Sequence, residues 1–175
     1  MAFLNREGMA MIINVGGLNQ GRAVARSQEN PKVLGCFEAD EIDFLKPIGV
    51  YVEITKMGFD VYLDCTFTTS VSIACCRCLE RCPLDLKVRY RMLFVPAKDG
   101  VAGRTAEDGV YLYRESTIDL ADYICEAIRT ELPRKPLCKP DCRGLCSHCG
   151  ANLNEGPCSC QEPDDSFHPF KGLKL

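Results

Sequence analysis

Cys75-Cys-Arg-Cys78 and Cys146-Ser-His-Cys149 each set two thiols two residues apart, the spacing at which one tight turn presents both sulfurs to a single metal ion. Gly150 follows the second pair directly. It permits the positive φ that turns backbone N–H groups toward the sulfurs, the signature of a zinc knuckle. A tetrahedral zinc site needs two such pairs, and six of the chain's 13 cysteines lie between residues 138 and 160. Cys158 and Cys160 complete Cys146 and Cys149 across a short loop. Cys138 and Cys142 then remain, and Cys75 and Cys78 complete them. The expected centres are therefore two zinc ions, one held by Cys75, Cys78, Cys138 and Cys142 and the other by Cys146, Cys149, Cys158 and Cys160. Cys76 and Cys82 compete with Cys78, a choice that spacing leaves open. Cys36, Cys65 and Cys125 fall within strand or helix patterns and read as small core residues.

Other chemistries find little support. A redox pair belongs at the start of a helix, where the helix end lowers a thiol pKa, but Pro83 and a strand pattern follow Cys78. A catalytic zinc keeps one position for water and usually recruits histidine. Of the two histidines, His148 lies inside the knuckle and His168 beside Pro169. No Ser/His/Asp set, paired carboxylates or phosphate-cradling glycine loop stands out, so no residue is assigned to catalysis, to an organic cofactor or to a small-molecule substrate. The expected role of the metal is structural.

The chain shows no charged segment followed by an apolar stretch at its start and no apolar run approaching the roughly 20 residues that span a bilayer. The expectation is a cytoplasmic protein with reduced thiols and no membrane contact. A formal charge of −3 argues against a general nucleic-acid binder, yet both cysteine-bearing segments are basic. Residues 75–91 carry five cations against two carboxylates, and residues 129–149 do the same. Two four-thiolate zinc sites would lower the formal charge by four, so Arg77, Lys139 and Arg143 serve either to neutralise the clusters or to meet an RNA backbone.

The elements that must position these cysteines are mostly strands. Val50–Thr55, Phe59–Phe67, Ser70–Ala74 and Leu84–Val95 alternate or cluster β-formers, and Lys56-Met57-Gly58 reads as a hairpin turn. Residues 96–109 lack periodicity and read as a loop. One helix is expected over 117–132, capped by Ser116 or Thr117, with Asp119 in its first turn and Pro133 as its stop. The predicted fold class is α+β, an antiparallel sheet that could close into a barrel, with one main helix. Residues 1–133 would form a strand-rich body and residues 134–175 a zinc-ordered tail packed on it. That tail is too polar to build an oily core, and Phe167 and Phe170 near its end suit docking.

These motifs resemble those of the YceD family, the large ribosomal RNA subunit accumulation proteins. The resemblance is carried by Cys75-Cys-Arg-Cys78-Leu-Glu80, Ile118-Asp-Leu120, Leu132-Pro133, Lys135-Pro-Leu-Cys138, Asp141-Cys-Arg-Gly-Leu-Cys146, Cys149-Gly-Ala-Asn-Leu-Asn154 and Cys158-Ser-Cys160. It implies a non-enzymatic factor for rRNA accumulation that engages an assembly intermediate of the large ribosomal subunit, through rRNA, a ribosomal protein, or both. The rival expectation is a zinc-stabilised protein–protein adaptor with no direct RNA contact.

Overall fold

The computed structural model describes residues 3–4, 12–37, 42–97, 103–104 and 109–160. Along the chain lie β1 (Phe3–Leu4), β2 (Ile12–Asn14), β3 (Gly21–Glu29), the single-turn helix α1 (Pro31–Leu34), β4 (Asp43–Phe44), β5 (Ile48–Met57), β6 (Asp60–Ala74), β7 (Arg81–Pro96), β8 (Gly103–Arg104), β9 (Val110–Tyr113), β10 (Thr117–Asp119) and α2 (Ala121–Glu131). The class is mixed α+β, with mostly strands and one main helix.

Seven strands form one sheet in the order β3-β5-β6-β7-β9-β8, with β4 added beside β6. Alternation explains its two faces. Val50, Val52 and Ile54 of β5 and Val61, Leu63, Cys65 and Phe67 of β6 point inward and are buried, while the residues between them face solvent. The two runs expected on either side of residue 68 are one continuous strand, β6. Gly58 makes the tight turn between β5 and β6 at φ 64°, a conformation only glycine adopts at little cost.

Two expectations about the sheet need correction. The sheet does not close into a barrel: among the described residues β3 bonds only to β5 along its length, and the opposite edge ends at the two-residue β8. A barrel needs its own wall to cover its interior. Here Ile124, Cys125, Ala127 and Ile128 of α2 cover the inner face instead, so a second layer does the burying. Nor is the sheet wholly antiparallel, because β7 and β9 pair in parallel from Leu93↔Val110 to Pro96↔Tyr113. The intervening 13 residues, 97–109, are long enough for that crossover.

The helix also begins later than expected, at Ala121 rather than residue 117. Thr117–Asp119 pairs with Ile12–Asn14 as β10, in a small sheet of order β1-β2-β10. Asp119 still serves the helix, since its Oδ1 accepts the Ala121 N–H at 2.9 Å. The helix stops at Glu131, before Pro133. Burial of Ile128, fully enclosed beneath the sheet, makes Ile128→Ala cost about 2–5 kcal/mol.

Cys36 and Cys125 also depart from the reduced core cysteines expected of them. The turn after α1 brings Cys36 to a Cα–Cα distance of 6.2 Å from Cys125 of α2, and the two form a disulfide. Cys65 remains a buried free thiol, pushed up to about 12 by burial. Phe167 and Phe170 lie outside the described residues.

Candidate metal centre

The two longest strands, β6 and β7, form a hairpin registered from Val61↔Phe94 to Ala74↔Arg81, and its six-residue tip, 75–80, is the first knuckle. The Cys75 N–H donates to Glu80 O at 2.8 Å and the Leu79 N–H to Cys75 O at 2.9 Å, which folds the tip back on itself. Leu79 takes a positive φ of 62° to make this turn, a strained choice for a residue with a Cβ. Cys75 and Cys78 consequently point to the same side, and both are buried.

The segment after α2 runs back across this tip. The Cys76 N–H donates to Pro136 O at 2.8 Å, the Leu145 N–H to Arg77 O at 3.2 Å, and Arg77 Nη1 to Cys142 O at 2.8 Å. These bonds set Cys138 and Cys142 opposite Cys75 and Cys78. Cys75 and Cys142 Sγ lie 3.7 Å apart and Cys78 and Cys138 Sγ 3.6 Å apart, and all four lie within 4.8 Å of one another. A tetrahedron with metal–sulfur bonds of about 2.3 Å has edges of about 3.8 Å. The four sulfurs therefore suit one ion and are far too distant for a disulfide.

The second cluster is local to the tail. The Gly150 N–H donates to Cys146 O at 3.0 Å and the Cys146 N–H to Ala151 O at 2.8 Å, with Gly150 at φ 72° as the knuckle requires. Cys146 and Cys158 approach to 3.4 Å, and Cys149 and Cys160 complete a set of four within the same 4.8 Å limit. His148 offers its backbone, not its ring: its N–H points at Cys146 Sγ across 3.4 Å. Cys76 is exposed, and Cys82 donates to Ile73 O at 3.5 Å, so neither belongs to a cluster.

Backbone amides reach both knuckles. In the metal-free protein the N–H of Cys78, with that of Arg77, pulls Cys75 down to about 6 against the opposing effect of burial. The N–H of Cys149, with that of His148, pulls Cys146 down to about 6. Burial first, and then neighbouring thiols, push Cys138 up to about 12. Each knuckle thus has a sulfur ready to ionise, and a dipositive ion would drive off the remaining protons. With four thiolates from the chain itself, either cluster could hold a metal ion with no coordination position left for water or substrate.

Two asparagines join the clusters, and residue spacing did not single them out. Asn154 Nδ2 donates to Cys142 Sγ at 3.3 Å, which holds that thiol below its usual range, while Asn154 Oδ1 accepts the Arg143 N–H at 2.9 Å. Asn152 Nδ2 donates to Glu80 Oε1 at 2.8 Å, tying the tail to the hairpin tip, and its Oδ1 accepts from Asn154 at 2.8 Å. The available signal was the Asn-Leu-Asn repeat directly after the Gly150 turn.

The model of the family described as large ribosomal RNA subunit accumulation protein YceD matches residues 63–175, the hairpin and everything after it. An uncharacterized protein of Mycobacterium leprae is 32% identical over 155 residues, covering 88% of this chain and 70% of the relative. The maize protein named large ribosomal RNA subunit accumulation protein YCED homolog 1, chloroplastic, is 24% identical over 190 residues, covering 92% of this chain and 65% of its own. The Arabidopsis thaliana protein of the same name is 24% identical over 156 residues and is spanned for 49% of its length. No solved structure matches the chain.

Proposed function

The chain belongs to the YceD family, and we propose that it is a non-enzymatic factor, ordered by two zinc ions, that supports large-subunit rRNA accumulation by engaging an assembly intermediate of that subunit. The observation that carries the reading is the completion of each cluster by four cysteines of the chain. Such closed sites suit a scaffold and leave no place for metal-assisted chemistry. The family is named for accumulation of an RNA rather than for a reaction, in keeping with that role. Zinc is preferred over mononuclear iron because it holds tetrahedral thiolates without redox change.

In this reading residues 134–175 are a zinc-binding tail on a body formed by residues 1–133, and the first ion stitches the two together. The reading needs a compartment that keeps the eight cluster thiols reduced, such as the cytoplasm expected from the sequence. Among the described residues no helix is long and apolar enough to cross a membrane, and the plant relatives carry a chloroplast designation. The bonded Cys36–Cys125 pair is the feature a reducing compartment would oppose.

The test is depletion of the protein from its host, followed by measurement of large- against small-subunit rRNA. A selective fall in large-subunit rRNA, restored by the wild-type chain but not by a Cys75→Ser, Cys158→Ser double variant, is expected. Unchanged rRNA levels would refute the reading, and full rescue by the double variant would separate the metal from the function.

A further inference from the structure

The inner face of the large sheet is occupied by α2, whereas among the described residues no element lies over its outer face along the central strands. Cross-strand register arranges that face in rows. One row runs Gln28, Gly49, Thr68, Lys87, and the next runs Arg26, Tyr51, Thr66, Arg89. Neither row contains a carboxylate or an aliphatic side chain. A shallow hollow on this face is lined by Arg26, Gln28, Gly49, Tyr51, Thr66 and Thr68, and at Gly49 the Thr68 hydroxyl packs where a Cβ would stand, 2.7 Å from it. Tyr51 borders the hollow, and the Arg26 guanidinium lies over its ring, 5.1 Å from the centroid.

Carboxylates flank the two rows on both sides, Glu53 and Asp64 on one and Asp85 on the other, where Ser70 Oγ donates to Asp85. Tyr51 Oη donates to Glu53 Oε1 at 3.0 Å, and Arg89 binds Asp64 through two bonds of 2.8 and 2.6 Å. Along β7, Lys87, Arg89 and Arg91 emerge on this face at every second residue, steps of about 6.6 Å. That is comparable to the step between phosphates of an extended single strand. A chain of net charge −3 therefore concentrates cations beside an aromatic ring and a shallow hollow.

We propose that these two rows bind single-stranded RNA, with a nucleobase stacked beside Tyr51 over the Gly49 hollow and the phosphate backbone following Arg26 and Lys87. This deepens the rRNA reading above and rests on it. The charge surplus matches a polyanion. A ring at the centre suits an unstacked base rather than a duplex. A protein partner would find no aliphatic side chain to bury in either row.

The test uses the full metal-loaded chain and a fluorescent 12-nucleotide oligouridine, titrated at several salt concentrations. Tyr51→Ala should weaken binding about tenfold. Lys87→Gln should lower the slope of log affinity against log salt by about 0.7. Lys135→Gln, in the tail, should match the wild type. If the wild type binds but the Tyr51 and Lys87 variants are indistinguishable from it, the placement is overturned while an RNA contact elsewhere survives. If the wild type does not bind, direct recognition is overturned, and cellular rRNA levels judge the accumulation reading separately.

Discussion

Replacing Gly144 with alanine should loosen the first metal site without altering a ligand. Gly144 sits at φ 77°, and an added Cβ would lie 3.1 Å from Arg77 O and 3.4 Å from Arg77 Cβ. The carbonyl cannot swing away freely, because Arg77 O already accepts the Leu145 N–H at 3.2 Å. A left-handed alanine costs about 1 kcal/mol or slightly more, and the contact raises the total to roughly 2 kcal/mol. That corresponds to an affinity about 30-fold lower. Gly150 is the internal comparison, since it has φ 72° but nothing within 4 Å of its added Cβ. Gly150→Ala should therefore weaken only the second site, by about fivefold. Cobalt(II) titration against a competing chelator reads each site through its thiolate charge-transfer absorption, with Cys158→Ser or Cys75→Ser isolating one site at a time. Unchanged first-site affinity in Gly144→Ala, or a larger loss at Gly150, would refute the argument that the tail is seated by its close approach to the hairpin tip.

Elemental analysis of the wild type should find about two zinc ions per chain, falling to about one in either Cys75→Ser or Cys158→Ser; total loss in both would mean that the clusters depend on each other. Alkylation of unreduced protein should leave Cys36 and Cys125 unlabelled, and reduction should cost up to about 4 kcal/mol from the released loop, read by urea unfolding. The Arg89 hydrogen bond holds Asp64 below the ordinary carboxylate range, so its contribution is complete above pH 3.8 and fades as pH falls through the folded-state value. Asp64→Asn should accordingly show a shallower loss of stability as the pH falls below 3.8, a small effect because Arg89 is largely exposed.

What could be read from residue order alone follows from how local each signal is. The knuckles are visible because both sulfurs of a pair come from one turn, and β5, β6 and β7 are visible because their buried positions alternate. β3 was not legible, since its outward positions include Arg22, Arg26 and Gln28 and its only fully buried residues are Ala25 and Glu29. Thr117–Asp119 was misread because Asp119 stands just before the helix and accepts the Ala121 N–H, while the strand it ends is defined by a partner a hundred residues earlier. The parallel β7–β9 pair, the Cys36–Cys125 bond and the reach of Asn154 to Cys142 likewise depend on groups brought together only by the folded chain.

The division of the first site between a hairpin tip and a distant segment bears on biosynthesis. The hairpin carries its own register and can form as soon as it emerges, but Cys75 and Cys78 must then wait for Cys138 and Cys142, sixty residues or more further along the message. A product terminated before Cys142 cannot seal the site and displays unshielded soft donors. A metal ion bound by all four sulfurs would thus be one that only a chain extended past Cys142 can hold.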